Sequence, residues 1–359
     1  MRSLTRRRRY SMKENKRKYR ILVVRMDRIG DVLLSTPAIK AVREAHPNAH
    51  IAAMVQPYVE DIVDGNPYLD EVILYDKDNK HKGFFGSLAL ILELRRKGFD
   101  LAIILHPTVR SNLVAFLAGI RERVGYDRNW GFLLTKRIKD TKHLGEKHEI
   151  DYNFDVLRAA GITAKDRALY MPVKPEYERV IARFLALNDL GSKDVIVAVH
   201  PGASCRSKRW PAYRFGRVAD ELMDKYNIKI VIIGGPSDVN TVKEVETGML
   251  HKPIVLSEEH SLGEVAALLK KCKLLISNDS GPVHIAVAVG TPVISIFGRL
   301  DPGLSPQRWG PVGQYDIVIH KDVGCEECLA HNCKLSFKCL DAITVEEVFS
   351  AAERLLTRD

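Results

Sequence analysis

Nine short runs dominated by Val, Ile and Leu recur along the chain, and between them lie segments whose apolar residues repeat every three to four positions. The runs cover Ile21–Val24, Ile51–Val55, Val72–Tyr75, Leu101–Leu105, Val195–Val199, Lys229–Ile233, Pro253–Leu256, Leu274–Ser277 and Pro292–Phe297. A run that is apolar at successive positions, rather than at alternate ones, has both faces buried, as in a parallel sheet covered by helices on both sides. The segment after Pro211 supplies the helical counterpart: Phe215, Val218, Ala219, Leu222, Met223 and Tyr226 fall on one face at a 3.6-residue period. This alternation specifies a doubly wound α/β architecture.

The 359 residues set an expectation of two domains. The chain also echoes itself. Leu105-His106-Pro107 and Val199-His200-Pro201 each close an apolar run and enter a loop, one in each half. Met171-Pro172-Val173-Lys174-Pro175 has two prolines and no periodicity, the character of a linker. The expected organisation is a basic, disordered tail over 1–19, a Rossmann-like domain over 20–171, a linker over 172–175 and a second Rossmann-like domain over 176–359, with a cleft between the two. Thr344-Val345-Glu346-Glu347 opens the last segment with a capping box, and Val348, Phe349, Ala352, Leu355 and Leu356 give it the apolar stripe of a docked C-terminal helix.

The formal net charge of +10 belongs to the tail. Residues 1–20 hold ten Lys/Arg against Glu14 alone, so the other 339 residues carry 45 basic and 44 acidic side chains. A near-neutral body disfavours nucleic-acid binding as the main function. The tail itself suits anionic lipid, nucleic acid or plain solvent. Ile21-Leu22-Val23-Val24 stops at Arg25, too short for a signal-peptide core, and Val283 to Phe297 is broken by His284, Gly290, Thr291 and Pro292. A cytoplasmic location is expected.

Three loops carry candidate chemistry. Arg25-Met26-Asp27-Arg28-Ile29-Gly30-Asp31-Val32 follows the first run and lacks the G-x-G-x-x-G pattern of nicotinamide enzymes. Asp31 there is either a general base at a strand's carboxyl end or a helix cap. Asn278-Asp279-Ser280-Gly281-Pro282-Val283-His284 places Pro in a first helical turn, with Ser280 and Gly281 offering amides to an anion. Asp279 would repel a phosphate, so it orders the loop or bonds a hydroxyl. His284 is a donor to phosphate or ribose, or a structural histidine. His200-Pro201-Gly202-Ala203-Ser204-Cys205-Arg206-Ser207-Lys208 adds small residues and a cation, and Gly234-Gly235-Pro236-Ser237-Asp238 a further Gly-rich strand end. Together they suggest a diphosphate clamp.

Two other clusters have metal-like spacing. Asp76-Lys77-Asp78 mimics a metal-binding D-x-D, but no other ligand set accompanies it, so it reads as a solvated loop. Cys325-x₂-Cys328-x₄-Cys333-x₅-Cys339 permits a tetrahedral zinc site, free thiols or two disulfides, the last disfavoured in a reducing compartment.

In this order the loops resemble those of glycosyltransferase family 9, the ADP-heptose:lipopolysaccharide heptosyltransferases. The matching pieces are Ile29-Gly30-Asp31-Val32 with Thr36-Pro37-Ala38, His200-Pro201-Gly202-Ala203 with Lys208 and Trp210-Pro211, Gly234-Gly235-Pro236, Asn278-Asp279-Ser280-Gly281 with His284, and Phe297-Gly298 leading to Trp309-Gly310-Pro311. The cysteine cluster is also similar to that of many members. The resemblance covers roughly residues 20–345.

It implies a GT-B fold and an inverting transfer that needs no catalytic metal, with structural zinc as the one metal role left open. It implies an ADP-heptose donor held mainly by the second domain and a lipid A–Kdo type acceptor held by the first, at the inner face of the inner membrane. Carried onto this chain, Asp31 is the base and Lys208 meets the donor phosphates. Gly202, Ala203, Ser204, Gly234, Gly235, Asp279, Ser280, Gly281 and His284 line the donor, and Gly30, Arg28 and Arg110 lie toward the acceptor. The stretch from His106 to Ile150 carries nine Lys/Arg against five Asp/Glu, which suits an anionic acceptor and a solvated surface equally. Arg299 after Phe297-Gly298, and the Ser204-Cys205-Arg206-Ser207 spacing, depart from the family pattern. The alternatives are another GT-B enzyme, such as a UDP- or GDP-hexose transferase or an epimerase, and a non-catalytic scaffold of the same fold.

Overall fold

The structure, a computed structural model, describes residues 17–256 and 259–358; most of the basic tail lies outside the described residues. The first half runs β1 (Arg20–Val24), α1 (Ile29–Leu33), α2 (Thr36–Ala45), β2 (His50–Val55), β3 (Glu71–Leu74), α3 (Gly83–Lys97), β4 (Leu101–Ile104), α4 (Val109–Leu117), β5 (Glu122–Tyr126), β6 (Lys136–Ile138) and α5 (Glu149–Ala159). The second runs α6 (Pro175–Leu187), β7 (Ile196–His200), α7 (Ala212–Tyr226), β8 (Lys229–Ile233), α8 (Val239–Gly248), β9 (Ile254–Leu256), α9 (Leu262–Leu269), β10 (Leu274–Asn278), α10 (Gly281–Val289), β11 (Val293–Phe297), α11 (Pro306–Trp309), β12 (Ile317–His320), α12 (Lys338–Asp341) and α13 (Val345–Leu356).

Each half builds one six-stranded sheet, β3-β2-β1-β4-β5-β6 and β9-β8-β7-β10-β11-β12, with every neighbouring pair parallel. The two orders are the same pattern. In both, the first strand of the half lies beside the fourth, so the chain reverses its direction of travel there and opens a crevice at the carboxyl edge. Every strand-to-helix loop of a half therefore emerges on that one edge.

Three strands, β5, β6 and β12, lie outside the nine runs; β5 and β6 are charged, and β12 is the short apolar stretch Ile317-Val318-Ile319. β5 reads Glu122-Arg123-Val124-Gly125-Tyr126, and β6 and β12 each form one of the two edges of their sheets, β3 and β9 forming the others; at an edge only one neighbour must be matched and one flank is open to water. The C-terminal helix forms as its capping box requires: the Thr344 hydroxyl accepts from the Glu347 amide, and Val345, Val348, Ala351, Ala352 and Leu355 are buried against α7, β10 and β11. Beneath it Trp210 is sealed in, its indole N–H donating to the Ile343 carbonyl at 3.0 Å and its ring edge-on to Phe215.

One apolar cluster runs through both halves, from Ile21 and Val32 to Val283 and Ile285. Among the described residues no helix is long and apolar enough to cross a membrane.

Candidate functional site

The loop after β1 is organised by a buried arginine. Arg25 reaches Asp31 Oδ1 with Nη2 at 2.6 Å, Asp27 Oδ1 with Nε at 2.9 Å and Glu149 Oε1 with both terminal nitrogens at 3.3 Å. Asp31 lies in the first turn of α1 but caps nothing; the N-cap is Arg28, whose side chain makes no cap bond. The capping alternative for Asp31 is thereby set aside. Arg25 holds Oδ1, and Oδ2 has no hydrogen-bond partner among the described residues.

Glu149, the first residue of α5, is the hub beneath this loop. Its Oε1 meets Lys142 Nζ at 2.6 Å as well as Arg25, and its Oε2 meets Arg308 at 2.8 and 3.0 Å. Burial opposes ionisation, but Lys142, Arg25 and Arg308 outweigh it and hold Glu149 at about 2. Asp27 goes the other way: burial raises it to about 7, with Arg25 only partly compensating. A carboxyl raised by burial next to a candidate base marks this loop as a functional-site candidate.

The donor-side loops are tied together by Asn278 at the end of β10. Its Oδ1 accepts from the Trp210 amide at 3.0 Å and its Nδ2 donates to the Pro201 carbonyl at 2.7 Å, fastening the 201–210 loop to the central strand. Asp279 Oδ2 is then met by Lys208 Nζ at 3.0 Å and Arg299 Nη2 at 2.7 Å. The residue that departs from the family pattern is thus a buried partner of Asp279, and two cations offset the carboxylate expected to repel a phosphate. Ser280 is the N-cap of α10 without capping it, because its hydroxyl faces His200 Nδ1 and Ser277 Oγ, both at 3.0 Å. Pro282 has no N–H and the Val283 amide donates to the Ser280 carbonyl at 3.2 Å, so among the described residues the Gly281 amide is the one at the start of α10 that keeps its capacity for an anion.

Gly202 packs against the Asp238 carboxylate so closely that a Cβ would collide with it, and the Gly235 amide donates to Asp238 Oδ2 at 3.2 Å. Gly234 abuts Val242, Ala203 is buried and Ser204 is exposed.

The two halves touch where these loops meet. A Cβ on Gly30 would lie 2.8 Å from His284 Cδ2, and one on Gly281 would lie 2.9 Å from Ile29 Cγ2, so α1 and α10 abut through their glycines. His284 is buried with Nδ1 unpartnered, and burial pushes it down to about 4, a neutral imidazole. Around this seam Arg308 crosses to Glu149, His148 Nε2 donates to the Gly310 carbonyl at 2.9 Å, and Asp61 accepts from the Gly263 amide and the Tyr177 hydroxyl. Asp31 and His284 are thereby brought into one electrostatic neighbourhood.

Other expected residues fall elsewhere. Arg28 is exposed at the mouth of the β1 loop. Arg110 is committed: its Nη2 donates to the His81 carbonyl and to Ser87, and its guanidinium covers the Tyr75 ring. Asp76 accepts from the Asp78 and Asn79 amides of its own turn, the behaviour of a loop residue.

Cys339 donates to the Gly298 carbonyl at 2.7 Å, Cys328 accepts from the Leu300 amide and Cys333 from the Phe337 amide, and none of the four forms a disulfide. Burial raises the Cys339 thiol, and Cys333, Cys328 and Cys325 lie near enough to help raise it; no group of three His, Cys, Asp or Glu side chains is placed to hold a metal among the described residues.

Arg25, Lys142, Glu149, Arg299 and Arg308 were not singled out as site residues from sequence. A lone glutamate after a histidine, and single arginines spaced over 280 residues, carry no local pattern.

Two matched parallel sheets, joined where a carboxylate-bearing loop meets a cationic one, are the GT-B architecture of glycosyltransferases. A sequence model of glycosyltransferase family 9 (heptosyltransferase) matches residues 87–338. The chain is 30% identical to lipopolysaccharide heptosyltransferase 3 of Escherichia coli over 92% of its own length and 96% of the relative's. A family 9 glycosyltransferase from Veillonella parvula superposes with a TM-score of 0.85 at 31% identity, covering 94% of this chain and 97% of that one. The ADP-heptose lipopolysaccharide heptosyltransferase II of E. coli shares the fold, with a TM-score of 0.76 at 22% identity over 94% and 98%. The chain belongs to glycosyltransferase family 9 and is a glycosyltransferase.

Proposed function

We propose that the protein moves a heptose from ADP-heptose to the inner core of lipopolysaccharide, onto Kdo or a heptose, with inversion and without a catalytic metal. Residues 20–171 hold the acceptor and 176–359 the donor. The relatives named for heptosyl transfer support the substrate class. The observation that carries the chemistry is the Asp31 carboxylate, fixed through one oxygen by Arg25 and open at the other.

In this reading Asp31 Oδ2 takes the proton of the acceptor hydroxyl, and the freed oxygen forms its bond to the anomeric carbon on the face opposite ADP. The bond from that carbon to the phosphate oxygen breaks, and its electron pair leaves with ADP. Lys208 and the Gly281 amide at the start of α10 meet the growing charge on the leaving diphosphate, which supports departure without a metal. Lys208 and Arg299 share the Asp279 carboxylate, so Lys208 can turn toward phosphate while Arg299 keeps Asp279 neutralised. His284, neutral, donates to the diphosphate or the neighbouring sugar. Gly202, Gly234 and Gly235 let the backbone approach the nucleotide.

Calorimetric titration with ADP, UDP and GDP, each with Mg²⁺ and with EDTA, tests this. ADP preference unaffected by EDTA is expected. Preference for UDP or GDP would replace the heptose donor with a hexose donor within the same fold, and a strict Mg²⁺ requirement would overturn the metal-free mechanism.

A further inference from the structure

The carboxyl edge of the first sheet carries aromatic side chains that the described residues leave largely exposed. Phe84 and Phe85, in the first turn of α3, are 76% and 83% exposed, and Trp130 and Phe132, in the loop after β5, are 49% and 67% exposed. These are large apolar groups left in water, at a cost of roughly 1.5–3 kcal/mol each relative to burial. Along α3 the apolar face continues through the exposed Leu88 and Leu92, while Leu90 and Leu94 face the core.

The two aromatic pairs are held in place by one element. Arg110, at the start of α4, donates to the His81 carbonyl and to Ser87 Oγ and so braces the turn that presents Phe84 and Phe85. Two residues on, the buried Asn112 donates to the carbonyls of Arg128 and Asn129, and Asn129 donates back to the Pro107 carbonyl, bracing the loop that presents Trp130. A packed polar scaffold therefore supports an apolar rim. This accounts for an arginine that the sequence marked for the acceptor and the fold spends on structure.

Charge surrounds the rim. Lys77, Lys80, Lys82 and Arg128 are exposed beside the aromatics together with Asp78; Lys80 pairs with Glu93 at 3.6 Å, Arg128 with Asp140 at 3.5 Å and Asp127 with Arg137 at 3.6 Å, all at the surface. Aromatic side chains interleaved with lysine and arginine at one edge match the interface of an anionic bilayer: rings at headgroup depth, cations on the phosphates. The rim also shares its edge with the loop of Asp27 and Asp31, and His106, one residue from Pro107, lies 4.0 Å from Asp27.

We propose that Phe84, Phe85, Trp130 and Phe132, with Lys80, Lys82 and Arg128, dock the protein on an anionic phospholipid surface, which brings the headgroup layer alongside the Asp31 loop. The proposal extends the reading of a lipid-linked acceptor, but docking needs neither donor nor acceptor, so the two can fail separately.

The test is co-sedimentation of the full chain with phosphatidylglycerol–phosphatidylcholine vesicles and with pure phosphatidylcholine vesicles, without sugar substrates. The native protein is expected to partition onto the anionic vesicles. F84S/F85S/W130S should lower that partition roughly tenfold or more, with an unchanged melting temperature because these side chains are exposed. K80E/K82E should weaken it by a similar factor at low salt and less at high salt. Because every variant keeps the basic tail, equal binding by native protein and F84S/F85S/W130S would assign the membrane contact to the tail and overturn the proposal. Absence of native binding to anionic vesicles would overturn it too. So would a native dimer in sedimentation velocity that F84S/F85S/W130S abolishes while vesicle binding persists, since the rim would then be a self-association surface.

Discussion

Arg25 Nη2 lies 2.6 Å from Asp31 Oδ1, and the same guanidinium is anchored beneath by Glu149. The carboxylate proposed as base is therefore oriented from the interior, and its open oxygen faces the junction of the two halves. Asp31→Asn keeps the shape and removes the proton acceptor. Turnover should fall about 10²–10⁴-fold, while the dissociation constant for ADP stays within about twofold because the donor loops are untouched. Steady-state turnover paired with calorimetry reads both, and an Asp31→Asn enzyme of native speed would remove Asp31 from the reaction.

Lys208→Ala should do the reverse. Losing one charge-assisted contact to phosphate, worth roughly 1.5–3 kcal/mol, weakens ADP about 10- to 150-fold. Arg299 still neutralises Asp279, so the melting temperature should move little. An ADP affinity equal to that of the native protein would reject the phosphate role.

Glu149 is the acid on which three buried cations converge. Glu149→Gln strands Lys142, Arg25 and Arg308 with half their partner gone, and breaking a buried pair of this kind costs about 3–5 kcal/mol. Chemical denaturation should register that loss. A loss below about 1 kcal/mol would mean that the network relaxes freely.

His284 gives a pH signature. Its folded pKa, pushed down to about 4 by burial, lies below the ordinary 6.5. The unfolded chain therefore binds the proton first as pH falls. The stability held above pH 6.5 should decline as pH drops toward 4, by about 3 kcal/mol from this residue. His284→Phe, which cannot titrate, should flatten that part of the curve, and an unchanged slope would contradict the assignment.

The seam is testable through Gly30. A methyl at this position meets His284 Cδ2 at 2.8 Å, so Gly30→Ala should cost roughly 1–3 kcal/mol. Trimming the ring in Gly30→Ala/His284→Ala should recover part of the loss relative to the sum of the single variants. Strict additivity would show that the two do not meet in solution.

The sequence carried the interior strands such as β1, β4, β7 and β10 because strands buried on both faces leave a mark at every position. It carried the glycines of the seam and the donor loops because close approach demands that residue type. It did not carry β5 or β6, whose partial exposure tolerates charge, nor β12, whose apolar stretch is only three residues long. Nor did it carry the Arg25–Glu149–Arg308 set, whose members lie 124 and 159 residues apart and meet only after folding. Arg110 shows the converse: a basic residue near an expected site, spent on bracing a turn.

The Glu149 hub has an implication for how such chains diverge. Arg25, Lys142 and Arg308 face Glu149, with Asp27 and Asp31 also on Arg25, in a region with little water to absorb a surplus charge. No single member can change sign or vanish without leaving an ion stranded, so the set is expected to drift only by compensated steps. A relative that has lost the acid at position 149 should have lost a cation at 25, 142 or 308 as well, which makes these four positions a heritable unit that spans both halves of the molecule.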